Sequence, residues 1–278
     1  MNAAEFIYVK KKIRELTQFD LDNYGHNQMM RRLDGYISRF KVNNVVQYCK
    51  MIERDKNELE KLQKFLTINV SEFFRDSAQY KILQEEVLPA LLQNNLKINI
   101  WSAGCSNGAE AYSIAILLDR LSPYRDHRIL ATDIDKNILS QAVAGGPYKA
   151  ADIRNVPKAL VEKYFTSTDG DMQVINRIRK KVTFKLHDLT RDPFEKNFDL
   201  IVCRNVVIYF AVETKRALRK KFLDALKVNG IFFIGATETM LDARDTGFQR
   251  LSACFYRKKA DIPEKNIQEP FLSGRGAR

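Results

Sequence analysis

The chain has little with which to hold a metal. Its three histidines, His26, His127 and His187, and its four cysteines, Cys49, Cys105, Cys203 and Cys254, are scattered singly. No two stand at the spacing of a ligand pair, which excludes a zinc knuckle and a CxxC redox motif. Isolated cysteines of this kind read as small buried hydrophobes, and no metal is expected. No apolar run approaches the ~20 residues of a membrane span. The opening MNAAEFIYVKKK lacks the apolar core of a signal peptide. A cytoplasmic protein without membrane insertion is therefore expected. No internal repeat is evident. Over 278 residues, 45% hydrophobic and 29% charged content is that of a globular protein with one large or two modest domains. The net charge of +12 suits an acidic partner, nucleic acid or an acidic protein surface, and serves solubility equally well.

The most informative stretch is KINIWSAGCSNGAEAYSIAILL, residues 97 to 118. A short apolar strand runs into a turn and then a helix too apolar to be surface, the first half of a nucleotide-binding βαβ unit. The turn has two glycines, Gly104 and Gly108, and not the three of a dinucleotide fingerprint. A second strand, 128 to 132, ends at Asp133, where a carboxylate can accept from two ribose hydroxyls. Glu110 stands where a dinucleotide fold leaves room for pyrophosphate. It would repel phosphate and pair with an ammonium group. These features disfavour a dehydrogenase and fit a nucleoside with an amino-acid tail, S-adenosylmethionine.

Residues 1–77 read as a helical module. Phe6, Val9, Ile13 and Leu16 mark one helix, and Met29, Met30, Leu33, Ile37 and Phe40 a second. Leu59, Leu62, Phe65 and Leu66 mark a third, with Asn57 and Glu60 as its capping box. The stretch TINVSEFFRD, 67 to 76, brings Asn69, Ser71 and Arg75 beside two aromatics. A linker helix within 78–96 leads to an α/β domain over 97–258. Its helix 136 to 144 is capped by Asp135, and strands are expected at 182–186, 198–203 and 231–234. A helix is expected over 212 to 227, and a last strand or hairpin at 248–257. An insertion at about 163–181 carries a polar turn, 166–171, and a short strand, 172–175. Residues 259–278 read as a disordered tail. Polar residues recur past the carboxyl ends of four strands: Ser102 to Glu110, Asp133, Asp188, and Arg204 with Asn205. Ligands of open α/β sheets sit at that edge.

With these residues in view the chain resembles the CheR family of chemotaxis receptor glutamate methyltransferases, from about Phe6 to Arg257. The landmarks are INVSEFFRD at 68–76, WSAGCSNGAEAYSIA at 101–115, ATDID at 131–135 and CRNVVIYF at 203–210. The resemblance implies a Rossmann-like S-adenosylmethionine-dependent methyltransferase sheet with a small inserted β-subdomain, preceded by a small all-α domain. It implies that Asn69, Ser71 and Arg75 reach the cofactor from the linker, with Gly104 in the cofactor-binding turn. Glu110 would pair with the methionine ammonium, Asp133 would bind ribose, and Asp188 and Leu189 would lie by the adenine. Arg204, Asn205 and Tyr209 would line the methyl-transfer position, with Arg75 and Tyr209 the catalytic pair that orients the substrate carboxylate. The implied product is a glutamate methyl ester on a methyl-accepting chemotaxis receptor, with S-adenosylhomocysteine released. The receptor's cytoplasmic domain would dock on Arg31, Arg32 and Arg39, and the enzyme would act as a monomer.

The chain also departs from the family pattern. Ala109 and Ala111 replace a glutamate and a proline, Asp188 stands where asparagine is common, and GATE at 235–238 replaces GHSE. The insertion loop 167–171 has one glycine and two acids, which argues against tethering to a receptor's C-terminal peptide. A carboxylate substrate needs no general base, and none is expected in the pocket. An RNA or small-molecule methyltransferase would match the charge, but RNVVIYF lacks the proline of such catalytic loops. A rival from another class is a cofactor-binding sensor without turnover, to which Ala109 and Ala111 lend slight support.

Overall fold

A computed structural model of the chain describes residues 1–238 and 247–260. The expected tail lies outside the described residues from 261 onward. Four helices open the chain: α1 (Ala3–Thr17), α2 (His26–Ile37), α3 (Val45–Arg54) and α4 (Lys56–Thr67). Asn2 and Glu5 form a reciprocal capping box at the start of α1. The expected box at Asn57 and Glu60 is not used. Asp55 caps α4 instead, its carboxylate accepting from the amides of Asn57 and Glu58. Helix α3 was not expected from the sequence. Its buried Tyr48, Cys49 and Ile52 join Phe6, Val9, Leu33 and Leu62 in one helical core.

The linker after α4 is irregular, and three non-glycine residues in it have left-handed backbone: Ile68 (φ 46°), Phe74 (51°) and Asp76 (59°). Such conformations persist only where surroundings enforce them. Here Phe73 and Phe74 are buried, and their amides donate to the Asp152 carbonyl (2.8 Å) and Ser113 Oγ (3.0 Å). A helical rod follows: α5 (Ser77–Ile82), a wider π-type turn (Leu83–Val87) and α6 (Leu88–Asn94). Pro89, which cannot donate and crowds the preceding turn, sits just past the widening.

The second body is built in the order β1 (Asn99–Ala103), α7 (Ala109–Leu121), β2 (Arg128–Asp133) and α8 (Lys136–Ala144). The insertion adds α9 (Lys158–Tyr164), β3 (Phe165–Thr168), β4 (Asp171–Val174) and α10 (Asn176–Arg179). Then come β5 (Val182–Leu186), β6 (Phe198–Cys203), α11 (Val212–Ala225), β7 (Leu226–Ile234), β8 (Phe248–Arg250) and β9 (Phe255–Lys258). Seven strands form one sheet in the order β5-β2-β1-β6-β7-β9-β8, parallel through β7 and antiparallel at β9 and β8. Alternation along β1 sends Ile100 into the core on one face and Trp101 into the core on the other. β7 starts at Leu226, five residues before the expected strand, and α11 ends two residues before the expected 227. A register break opposite Phe198–Leu200, with Asn229 left-handed, hides those residues from a reading based on alternation. β3 and β4 pair as a separate hairpin, whose first strand the sequence reading had placed in a polar turn. The chain leaves β1 for β2 and later crosses back to β6 on β1's other side. The crevice for a ligand opens there, beyond the strands' carboxyl ends.

Candidate active site

A cleft of about 980 Å³, part of it open to solvent, lies at that edge. Every residue singled out from the sequence for cofactor binding or catalysis lines it: Asn69, Ser71, Arg75, Gly104, Glu110, Asp133, Asp188, Leu189, Arg204, Asn205 and Tyr209.

The turn after β1 forms its floor. Gly104 has φ +82°, and a Cβ there would lie 2.5 Å from Val206 Cγ2. Glycine thus permits both the left-handed turn and the close approach of the loop after β6. The amides of Gly104 and Cys105 donate to the Thr132 carbonyl at 2.8 and 2.9 Å, tying the turn to the end of β2. Glu110, in the first turn of α7, is buried. It accepts from Ser102 Oγ (2.8 Å), and Arg204 Nη1 lies 3.7 Å from its other oxygen. Burial pushes its carboxyl above the ordinary range, while Arg204 and Ser102 pull it back. A buried carboxylate so thinly paired is a receptor for a further cation.

Asp133 is also buried, and burial raises its carboxyl although the amides of Asp135 and Ser106 donate to it (3.0 and 2.7 Å). Those two bonds orient the group and leave acceptor capacity over. After β5, the His187 amide donates to the Asp133 carbonyl (2.9 Å), so the two strand ends are joined. Asp188 turns one oxygen back onto the Thr190 amide and hydroxyl at 2.8 and 2.6 Å.

The loop after β6 is held from below by Glu238. This buried carboxylate accepts from the amides of Asn205 (3.1 Å), Val207 (3.1 Å) and Gly235 (2.6 Å), fixing Asn205 at φ 58°. Arg204 is nearly inaccessible. Its Nη2 donates to the Arg75 carbonyl (2.9 Å) and Asp76 (2.5 Å), and its guanidinium lies 4.8 Å from the Phe233 ring centre. It anchors the linker to the sheet as well as bordering the cleft. Asn69 Nδ2 is committed to Asp135 (2.6 Å) and Thr67 (3.1 Å). Among the described residues, Arg75 makes one side-chain hydrogen bond, to the Val70 carbonyl at 3.2 Å.

The helical module supplies the remaining wall. Gly25 donates its amide to the Tyr209 carbonyl (2.9 Å) and Ala211 donates to the Asn23 carbonyl (2.8 Å). This backbone clip sets Tyr24 against Phe210 at the cleft. Tyr24, Ser106 and His187 line the cleft and were not named from the sequence as site residues, nor was Glu238 beneath it. Only Ser106 and Glu238 lay within stretches already singled out. His187 departs from the expectation of a pocket without a candidate base. It is packed between Trp101 and Phe194, each 5.6 Å between ring centres, and burial lowers its pKa below the usual 6.5. Arg31 is exposed on α2 and Arg39 is exposed just past its C-terminal end. Arg32 is turned inward, 4.8 Å over the Phe65 ring and donating to its carbonyl, so the three do not share one free face.

Four buried polar atoms of the cleft lining have no hydrogen-bond partner among the described residues: Ser106 Oγ, His187 Nε2, Arg204 Nε and Asn205 Oδ1. Buried polar groups are ordinarily satisfied. Together with a carboxylate at each end, they fit a ligand with a cationic tail and a nucleoside rich in donors and acceptors. Among the described residues, no cluster of side chains could hold a metal ion, and no helix is long and apolar enough to cross a membrane.

A mostly parallel sheet with a cleft beyond its carboxyl ends is the architecture of the nucleotide-binding α/β class. Comparison with known proteins names the family. A model described as CheR methyltransferase, SAM binding domain, matches residues 69–256, and one described as CheR methyltransferase, all-alpha domain, matches residues 4–67. The chain belongs to the CheR methyltransferase family and is an S-adenosylmethionine-dependent methyltransferase. A chemotaxis protein methyltransferase of Listeria innocua is 36% identical over 255 residues, 91% of this chain and 97% of that one. One of Borreliella burgdorferi is 33% identical over 255 residues, 83% of this chain and 89% of that one. Chemotaxis protein methyltransferase 2 of Vibrio cholerae is 36% identical over 211 residues, 73% and 70% of the two chains.

Proposed function

We propose that the protein methylates glutamate side-chain carboxylates of chemoreceptors, giving methyl esters and S-adenosylhomocysteine. The observation that carries this reading is Arg75. Its guanidinium borders the cleft, and no carboxylate pairs with it among the described residues. A planar cation that borders a cofactor cleft, held by the Val70 carbonyl and acting on Glu110 only at a distance, suits an incoming carboxylate.

When bound, S-adenosylmethionine supplies an electrophilic methyl group on a sulfonium. Glu110 holds the ammonium of the tail, Asp133 the ribose hydroxyls, and Asp188 and Leu189 border the adenine. Asn69 and Ser71 close the linker side, with Gly104 below and Arg204 and Asn205 holding the wall after β6. Arg75 and Tyr209 orient the substrate carboxylate in line with the methyl. A glutamate, with a free pKa of about 4.3, is already ionised at neutral pH. His187 therefore has no proton to take, and positioning does most of the work. One oxygen–carbon bond forms as one carbon–sulfur bond breaks, and both charges vanish.

The domain division that goes with this reading is a helical module over 1–77, a linker helix over 78–96 and a methyltransferase domain over 97–258, acting as a monomer. Arg31 and Arg39 meet an acidic helical face of the receptor's cytoplasmic domain, and nucleic acid is no partner. The β3–β4 hairpin, with its acidic loop, does not tether a receptor peptide. The test is incubation with methyl-labelled cofactor and membranes carrying chemoreceptors, followed by mild alkali. Label that enters protein and leaves as methanol supports an ester. Label that resists alkali, or enters RNA, refutes it.

A further inference from the structure

Tyr24 sits far from the methyltransferase sheet in sequence and against the cleft in space. Its ring stacks on Phe19 (5.0 Å) and lies 4.9 Å from Phe210, so it belongs to the helical core and the sheet core at once. The backbone clip fixes it on one side, and Asn23 Nδ2 reaches Thr190 Oγ1 (3.4 Å) on the other. Packing alone would be served by phenylalanine. The hydroxyl, however, makes no hydrogen bond among the described residues, although Asp133 and Asp188 are both close enough to act on it. Asp188 has already turned one oxygen toward Thr190. Burial, then Asp188 and Asp133, push the phenol's pKa up, so at neutral pH it is a proton donor without an acceptor.

We propose that Tyr24 is part of the cofactor site, its hydroxyl donating to an acceptor on the adenosyl group beside Asp133 and Asp188. The helical module then contributes directly to cofactor recognition. This inference rests on the reading of the cleft as the cofactor site, and the experiment separates the two. Full-length wild type, Tyr24→Phe, Glu110→Ala and Asp133→Ala are titrated calorimetrically with S-adenosylhomocysteine and with 5′-methylthioadenosine, which lacks the amino-acid tail. Tyr24→Phe is expected to weaken both ligands by the same factor, about two- to tenfold, the range for one lost hydrogen bond. Glu110→Ala is expected to weaken only S-adenosylhomocysteine. The phenylalanine variant keeps the ring packing, so its melting temperature without ligand should match wild type. Wild-type affinity in Tyr24→Phe, with weakened binding in the other two variants, overturns the Tyr24 assignment alone. A loss confined to S-adenosylhomocysteine overturns its placement at the adenosyl group. Unchanged affinity in all three variants overturns the site.

Discussion

Glu110→Gln should move affinity and stability in opposite directions. The substitution keeps the shape of the side chain and an oxygen for Ser102 while removing the charge. In the bound protein it takes away a charge-assisted hydrogen bond to an ammonium, worth about 1.5–3 kcal/mol. That is a loss of about 10- to 150-fold in affinity for S-adenosylhomocysteine. In the empty protein it removes a carboxylate whose ionisation burial disfavours. Arg204 keeps Asp76 and the Arg75 carbonyl as partners. The melting temperature without ligand should therefore not fall. The pH dependence has a definite sign. The folded carboxyl titrates above the ordinary 4.5, so its ionisation lowers the stability of the empty protein as pH rises through that raised value. The ammonium binds the ionised form. Wild-type affinity should be full above the raised pKa and decline as pH falls through it, whereas the glutamine variant should keep only the shallower decline owed to Asp133, whose carboxyl burial also raises. Calorimetry across mildly acid pH, with thermal melts of the empty proteins, reads both. Wild-type affinity in the variant, or an acid decline as steep as that of the wild type, would refute the pairing.

Arg75→Ala and Tyr209→Phe should each lower kcat with a receptor substrate by at least tenfold while changing cofactor affinity less than threefold, as expected for groups acting on the reacting carboxylate. Steady-state kinetics beside calorimetry decides it, and unaltered turnover in both removes the assigned roles. Charge reversal at Arg31 and Arg39 should raise KM for receptor, and the wild-type KM should rise with salt, since exposed charges are screened over roughly 8 Å at physiological ionic strength. A KM indifferent to both leaves these arginines without a docking role. Glu238→Gln puts an amide in place of an oxygen among three backbone donors, leaving at least one buried N–H unpaired. That should cost about 1–3 kcal/mol in urea unfolding, and retained stability would show that the loop after β6 does not depend on it.

Legibility followed the regularity of the local signal. α8, β5 and β6 lie at the residues expected, because an Asp cap opens α8, apolar and polar residues alternate along β5, and the apolar run 200–203 marks β6. α3 escaped because its sequence, VVQYCKMIER, begins β-branched and spans only ten residues. β7 was cut short by its register break. In the candidate site, the residues at the ends of β1, β2, β5 and β6 could be named because strand alternation predicts which loops share an edge. Tyr24 could not, since only a tertiary clip between separate cores brings it there. Glu238 was visible only as part of a four-residue departure, and its bonds to the loop after β6 depend on how β6 and β7 pair.

The clip between residues 23–25 and 209–211 makes the two cores one thermodynamic system. A segment that both closes the cleft and fastens the helical module couples ligand occupancy to module attachment, and such coupling is reciprocal. Whatever affinity attachment confers on a ligand in the cleft, the ligand returns as resistance to detachment. A partner that grips α2 and favours the attached form is thereby held more tightly when the cleft is filled, and the cleft fills more readily while the partner is held. Methyl donor and methyl acceptor would then each raise the other's occupancy through the contacts that fasten the module to the sheet, the two backbone hydrogen bonds among them.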